Sequence, residues 1–428
     1  MKKHTQSPYE SSKVSYKPSG IKWLGEIPQS WENVSIRSCF TESNQRCNTD
    51  SYPLLSVTIA NGIIYQDNIE NKKDISNDDK SNYKIVPLNA VAYNKMRMWQ
   101  GAVGVNTLTT GIVSPAYIVA IPNEKILPNF VSYLFKSKIM IGEFDKNSYG
   151  LCLDMNNLRY DDFRNIKIPL PPLQEQKEIA EFLDKKCEKI QNYINKKQKL
   201  ITLLQEKKQA LINEVVTKGL NPNIEFKNSE IAYLGLIPHH WEVRRMKFMA
   251  SIHNGREQTE IADENGIYPI YGSGGILGKS MYFIYDKPSV LLGRKGTIDK
   301  PLFVEEPFWT IDTMFYTSVS KIVLPKYFYY LCLTIDFQFY ISGSAIPSMT
   351  QYDLANISFA LPPLQEQKQI ANFLDKKCEK INSVIEKTKR QITLIKEYKN
   401  TFINEAVCGR VACSRDFSPT AQNDKKKN

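Results

Sequence analysis

The chain has 428 residues, 42% of them hydrophobic and 24% charged, with a net charge of +11. That length suggests two to three domains of about 150 residues. The composition is that of a soluble globular protein, and no run of about 18 uninterrupted apolar residues is present to cross a membrane. Eight cysteines without a CxxC pair and only four histidines argue against a zinc site or a disulfide framework, and so for a reducing, cytoplasmic setting.

Residues 1–20 form a basic N-terminal tail without the apolar core of a secretory signal. A first variable region, 21–168, opens with LGEIPQSWE at Leu24. Its short apolar runs, such as YPLLSVTIA and GIVSPAYIVAIP, alternate with Asn, Gly, Asp and Pro breaks. That pattern predicts a mixed α/β domain of mostly antiparallel sheet. A late helix is expected over NFVSYLFKSKIMIGEF. At Leu170 the string LPPLQEQK begins, and about 45 residues without glycine or proline follow. They predict a helix over 169–219, roughly 65 Å long at 1.5 Å per residue. Pro171-Pro172 suit its first turn and Gly219 its C-cap. A linker, 220–233, leads to LGLIPHHWE at Leu234 and a second variable region, 234–360, with a helix expected in PKYFYYLCLTIDFQFY. LPPLQEQK then recurs at Leu361, opening a second helix over 361–410 that closes at Gly409. Residues 411–428 read as a disordered basic tail. A repeat of this length marks duplication of a whole domain-plus-helix unit. The basic excess lies on the repeated segments, +3 over 170–219 and +4 over 361–410, and on the tails, while 220–360 carries −2.

Both helical segments carry apolar residues at heptad a and d spacing. In the first these are Ala180, Leu183, Cys187, Ile190, Ile194, Ile201, Leu204, Leu211 and Val215. In the second they are Ala371, Leu374, Cys378, Ile381, Ile385, Ile392, Ile395, Phe402 and Ala406. One such stripe must bury itself against another helix, and the other copy is the obvious partner. The expectation is an intramolecular coiled coil joining two globular domains. Lys197, Lys208, Thr388 and Lys399 interrupt the seam, either fixing its register or reaching past it to water.

Catalytic motifs are scarce. YGSGGILGKS, Tyr271–Ser280, has the Gly-Lys-Ser end of a phosphate loop, but Ser273 stands where the opening glycine belongs. The following MYFIYDKPSV reads as strand and turn rather than helix. A glycine-rich turn is the expected structure. His239 and His240 read as structural or surface residues, Cys187 and Cys378 as small buried hydrophobes, and Asp161-Asp162 as cap or turn residues near a short helix. No metal site is expected. Binding remains. Candidate nucleic-acid contacts are basic, amide and aromatic residues beside glycine turns. In the first region these are Lys95, Arg97, Trp99 and Gln100, in the second Tyr271, Ser273, Lys279, Arg294, Lys295 and Thr297. Arg suits guanine and Gln adenine in the major groove. Two unlike domains on one spacer suit an asymmetric, bipartite target.

The two Pro-Pro-Leu-x-Glu-Gln helix starts, GIKWLGEIPQSWE and IAYLGLIPHHWE, NKMRMWQGAVGV…TGIVSPAYIV and YPIYGSGGILG…LLGRKGT together resemble the specificity (S) subunit of type I restriction–modification systems. The resemblance spans nearly the whole chain. It implies an α+β, pseudo-twofold tandem repeat, with two target recognition domains separated by two helices forming an antiparallel coiled coil. It implies a non-catalytic chain on double-stranded DNA, assembled with two methyltransferase (M) subunits that bind S-adenosylmethionine and methylate adenine. With two restriction (R) subunits added, the complex would cleave unmethylated DNA using ATP and magnesium. The chain itself would bind no cofactor. Lys185, Lys186 and Lys189 are expected on outer helix faces, as partner or DNA-backbone surfaces or as a solvated face. The alternative is a coiled-coil scaffold presenting two protein-binding domains without DNA recognition.

Overall fold

The computed structural model describes residues 15–47, 52–69, 80–150, 156–340 and 347–411. The tail from residue 412 onward and Cys152 lie outside them. The helices are α1 (Pro128–Lys136), α2 (Lys138–Lys146), α3 (Tyr160–Phe163), α4 (Leu173–Lys218), α5 (Pro325–Cys332), α6 (Gln351–Asn356) and α7 (Leu364–Val407). The chain divides into two compact units. The first joins Met1–Asn195 to Ile392–Asn428, and the second is Lys196–Gln391. Each unit therefore takes one half of α4 and one part of α7.

In the first unit an antiparallel sheet has the strand order 40–43, 117–122, 91–94, 103–105. The opening and closing strands of the domain pair with each other, 32–35 against 167–170. The second unit repeats this scheme, with the order 250–254, 314–319, 289–293, 302–304 and the pair 242–245 against 358–361. The expected late helices are present as α1 with α2, and as α5 followed by a 3₁₀ turn at Phe337–Tyr340. Two segments read as tail and linker each supply a strand. Tyr16–Pro18 pairs with Glu26–Pro28, and Phe226–Asn228 with Leu236–Pro238. These strands are too short and too exposed to show an apolar alternation. A serine at each bend, Ser19 or Ser229, turns the chain by accepting from the backbone two residues on.

The helices run antiparallel within each unit. In the first, Phe182 meets Phe402 at 5.5 Å between ring centroids, and Cys187 lies in the field of Lys399. In the second, Lys208 Nζ donates to Asn382 Oδ1 at 3.0 Å, while Tyr327 near the other end of the pair donates to the carbonyls of Val216 and Ala360. Leu183, Ile190, Ile194, Leu374, Cys378, Ile385 and Ile392 are buried. Cys187, Ile201, Leu204, Leu211, Ile381, Ile395 and Phe402 are half-buried. Of the polar interruptions, Thr388 is buried and bonds back to Val384 O at 2.8 Å. That is how a hydroxyl is satisfied inside a helix.

LPPLQEQK ties each helix to its domain. The two prolines precede the first helical residue, Leu173 or Leu364. Glu175 accepts from Ser30 Oγ at 3.0 Å and from Trp31 Nε1 at 2.7 Å. Glu366 bonds His240 and accepts from Trp241 Nε1 at 3.0 Å. The next residue is a fully buried glutamine. Gln176 accepts from Leu127 N and donates to the carbonyls of Lys125 and Pro171. Gln367 does the same with Leu324 N, Ile322 O and Pro362 O. Each glutamine thus caps the domain helix, α1 or α5, while anchoring the start of the long one. About two turns later Tyr133 donates to Asp184, and Tyr330 to Asp375 at 2.6 Å. Gly219 and Gly409 end the long helices at φ +76° and +74°. A Cβ on Gly409 would meet Pro28 Cδ at 2.5 Å and Trp31 Cη2 at 3.1 Å. Tyr16 donates to Gly409 O and Arg410 to Leu24 O, so the described C-terminal residues complete the first unit.

Replacing Gln367 by Leu keeps the volume but leaves a buried N–H and two carbonyls without partners. Gln367→Leu is expected to cost about 2–4 kcal/mol in denaturant unfolding, and Gln176→Leu the same.

Candidate nucleic-acid interface

The loop after strand 91–94 and the loop after strand 289–293 hold the same place in the two sheets. Each joins an inner strand to the edge strand, 103–105 or 302–304. Lys95, Arg97, Trp99 and Gln100 lie on the first loop; Arg294, Lys295 and Thr297 lie on the second.

In the first domain, Met98 is buried and pins the loop to the core. Arg97 and Gln100 on either side are exposed, and Lys95 and Trp99 are half-buried. The backbone turns tightly: Arg97 N donates to Asn94 O, Gln100 N and Ala102 N to Arg97 O. Trp99 is not a core residue, but its indole N–H is used within the loop, on Met96 O at 3.0 Å. Lys95 O accepts from Leu158 N. Gly101 has φ +91°, and a Cβ there would meet Ile141 Cδ1 at 2.8 Å, so only glycine closes this loop. Sequence patterning missed two further cations. Lys84, on strand 84–86, is buried; burial pushes its amine down, Glu42 opposes this, and the like charges of Arg46 and Lys95 add to it. Arg46 bonds Asn82 Oδ1 at 2.8 Å. A lysine inside the apolar string YKIVP was the available signal.

In the second domain the two glycine-rich stretches meet. Ser273 sits in the turn between strands 268–272 and 275–280. A Cβ on Gly296 would meet Ser273 Oγ at 3.0 Å. Thr313 serves both, its Oγ1 accepting from Ser273 N at 3.4 Å and its carbonyl from Arg294 N at 2.8 Å. Arg294 is half-buried, lies over the Phe315 ring at 5.9 Å and donates to Asp312 O at 3.2 Å. Its guanidinium therefore holds the loop. Segment 347–349 clamps the other side, Gly296 N donating to Pro347 O and Met349 N to Arg294 O. Lys295 is exposed and Thr297 half-buried. Tyr271 packs edge-on against Phe308, and its carbonyl accepts from Ile311 N and Thr310 Oγ1. Lys279 is exposed but stands along the strand, opposite Pro269, away from the turn that holds Ser273. Gly278-Lys279-Ser280 is strand and Ser280 is buried. No helix N-terminus follows to cradle a phosphate.

Two described histidines and the two seam cysteines are engaged in local contacts. His240 bonds Glu366, and His253 stacks on Tyr316 and bonds Ser318 Oγ at 2.7 Å. Burial pushes the thiols of Cys187 and Cys378 up. Among the described residues no His/Cys/Asp/Glu group could hold a metal ion, and no helix is long and apolar enough to cross a membrane.

The family model described as type I restriction modification DNA specificity domain matches twice, at residues 28–205 and 238–394. The chain belongs to the type I restriction–modification specificity family. Each match covers one four-stranded sheet, the loop at its edge and most of the long helix that follows. The chain is 25% identical over 433 residues to the putative type I restriction enzyme MjaX specificity subunit of Methanocaldococcus jannaschii, covering 91% of this chain and 95% of that one. It is 28% identical over 336 residues to the MjaVIII specificity subunit of the same organism, covering 70% and 74%. Its fold matches a chain solved in work on complex assembly and conformational transition of the type I R-M system. The TM-score is 0.69 at 15% identity, with 90% of this chain and 99% of that one covered. The two loops thus sit in two DNA specificity domains, and the scaffold alternative is not favoured.

The two cations of the second loop should separate by experiment. Arg294→Met removes a ring contact and a carbonyl bond, and is expected to destabilise the protein by about 1–2 kcal/mol. Lys295→Ala is expected to leave thermal unfolding within about 0.5 kcal/mol of wild type.

Proposed function

We propose that this chain is the non-catalytic sequence-reading subunit of a type I restriction–modification complex, each domain reading one half of an asymmetric, bipartite DNA target. One observation carries this reading. The scaffold contacts repeat between the units residue for residue, through Trp31 and Trp241, Gln176 and Gln367, Asp184 and Asp375. The loops at equivalent places share almost nothing, KMRMWQG against RKGTIDK. Equal frames carrying unequal loops suit two unlike half-sites, and linkage raises affinity through effective concentration.

In this reading Arg97, Gln100, Ser273, Lys295 and Thr297 face bases or phosphates, while Arg294 and Tyr271 shape the loops beside them. Lys95 and Trp99 complete the first surface, and Lys279 serves the backbone. The repeated helix faces dock two methyltransferase subunits. Lys185 and Lys189 are exposed there, and Lys186 lies over the Phe182 ring at 5.8 Å. S-adenosylmethionine enters through those partners, ATP and magnesium through two restriction subunits, and the complex works in the cytoplasm.

The test is to express the chain with its methyltransferase and map methylated adenines across a genome. A single two-part asymmetric target is expected, and methylation without sequence preference would refute the proposal. In the same complex, Lys295→Ala should lower DNA affinity and reduce the slope of log K against log[salt] by about 1.

A further inference from the structure

Three backbone carbonyls of the first domain, from two segments, converge on one amino group. Lys136 is the last residue of α1, and its Nζ donates to Thr58 O at 3.1 Å, Ile59 O at 2.7 Å and Gly101 O at 3.0 Å. An ammonium has three N–H donors, and all three are used. The acceptors belong to two loops far apart in sequence. Thr58 and Ile59 open the turn between strands 55–58 and 62–65. Gly101 closes the loop that carries Arg97, Trp99 and Gln100. Because one nitrogen bonds both Ile59 O and Gly101 O, those oxygens lie no farther apart than the sum of the two distances.

Glycine makes room for this arrangement. A Cβ on Gly104 would meet Ile63 N at 2.7 Å, so the turn's second strand lies directly on the edge strand. Gly62 faces Lys136 Cε and Gly104 at the same junction. Burial pushes the Lys136 amine down to about 8, which agrees with its partners being neutral carbonyls and not a carboxylate. Beyond the junction, Ile59 and Asn61 are exposed, and an amide and a branched aliphatic are suited to adenine and the thymine methyl. Among the described residues the second domain has no lysine at the equivalent position. Aligning α5 on α1 through Pro325 and Pro128 places Leu333 at this position.

We propose that Lys136 is the positioning residue of the first domain's reading surface, locking the 59–61 turn beside the 95–101 loop so that both address one half-site. This rests on the DNA-reading function above and names how one half of it is set. A positioning lysine governs which bases are accepted; a merely structural one governs only how much protein is folded.

The test uses Lys136→Met and Lys136→Gln in the full chain, each assembled with the methyltransferase partner, with methylated adenines mapped and thermal unfolding measured in parallel. Discrimination at the half-site read by the first domain is expected to fall roughly 10- to 100-fold, the size expected for losing charge-assisted hydrogen bonds. The other half-site should keep wild-type stringency. Lys136→Arg, which keeps charge and donors, should restore most of the lost discrimination. If either variant that folds yields the wild-type target set at a lower rate, the positioning role is wrong. Lack of sequence preference in the wild-type complex would instead remove the DNA-reading function itself.

Discussion

A helix with one apolar stripe cannot stand alone in water, and this chain contains two. Covering each side chain of the seam is worth about 1.5–3 kcal/mol when burial is complete, and neither helix can cover its own. Antiparallel pairing solves the problem within each unit. It has a consequence for the chain path. The last part of α7 must return to the domain built from the first residues of the sequence, so the first unit is discontinuous. Gly409 against Trp31, Tyr16 on Gly409 O and Arg410 on Leu24 O are the contacts that close it.

The same constraint explains why the repeated string is so alike in its two copies. Glu175 and Glu366 hold the indole of the opening tryptophan. Gln176 and Gln367 are buried with both N–H donors used and the carbonyl oxygen accepting, and such a group tolerates no change that leaves its partners unpaired. Asp184 and Asp375 hold a tyrosine of the domain helix, whose hydroxyl is pushed up by burial and then by the aspartate. Each contact crosses from spacer helix to recognition domain, and together they orient the domain on its helix. The loops at the sheet edge make none of these contacts. They are free to differ, and they do.

Much of the frame was legible in the sequence. Heptad spacing, two proline starts, two glycine stops and the long glycine-free runs all act locally, so the two long helices and their need for a partner could be read directly. The late helix after each sheet was visible for the same reason. The short strands 16–18 and 226–228 were not, because three residues, two of them exposed, carry no period. The loops were flagged by composition, but composition cannot tell a cation that faces outward from one that holds its own backbone. Lys295 is the first kind. Arg294, over Phe315 and on Asp312 O, is the second, and Lys279 stands apart from both.

The sequence by itself determined the duplicated frame, because propensity, capping and periodicity are set by neighbours along the chain. Only the tertiary structure decided which residues share a surface. Ser273 with Gly296, Lys136 with Ile59 and Gly101, and the indole of Trp31 with Glu175 are pairs separated by tens of residues or more. Their meeting follows from sheet order and helix direction, and those are fixed by packing rather than by any local pattern.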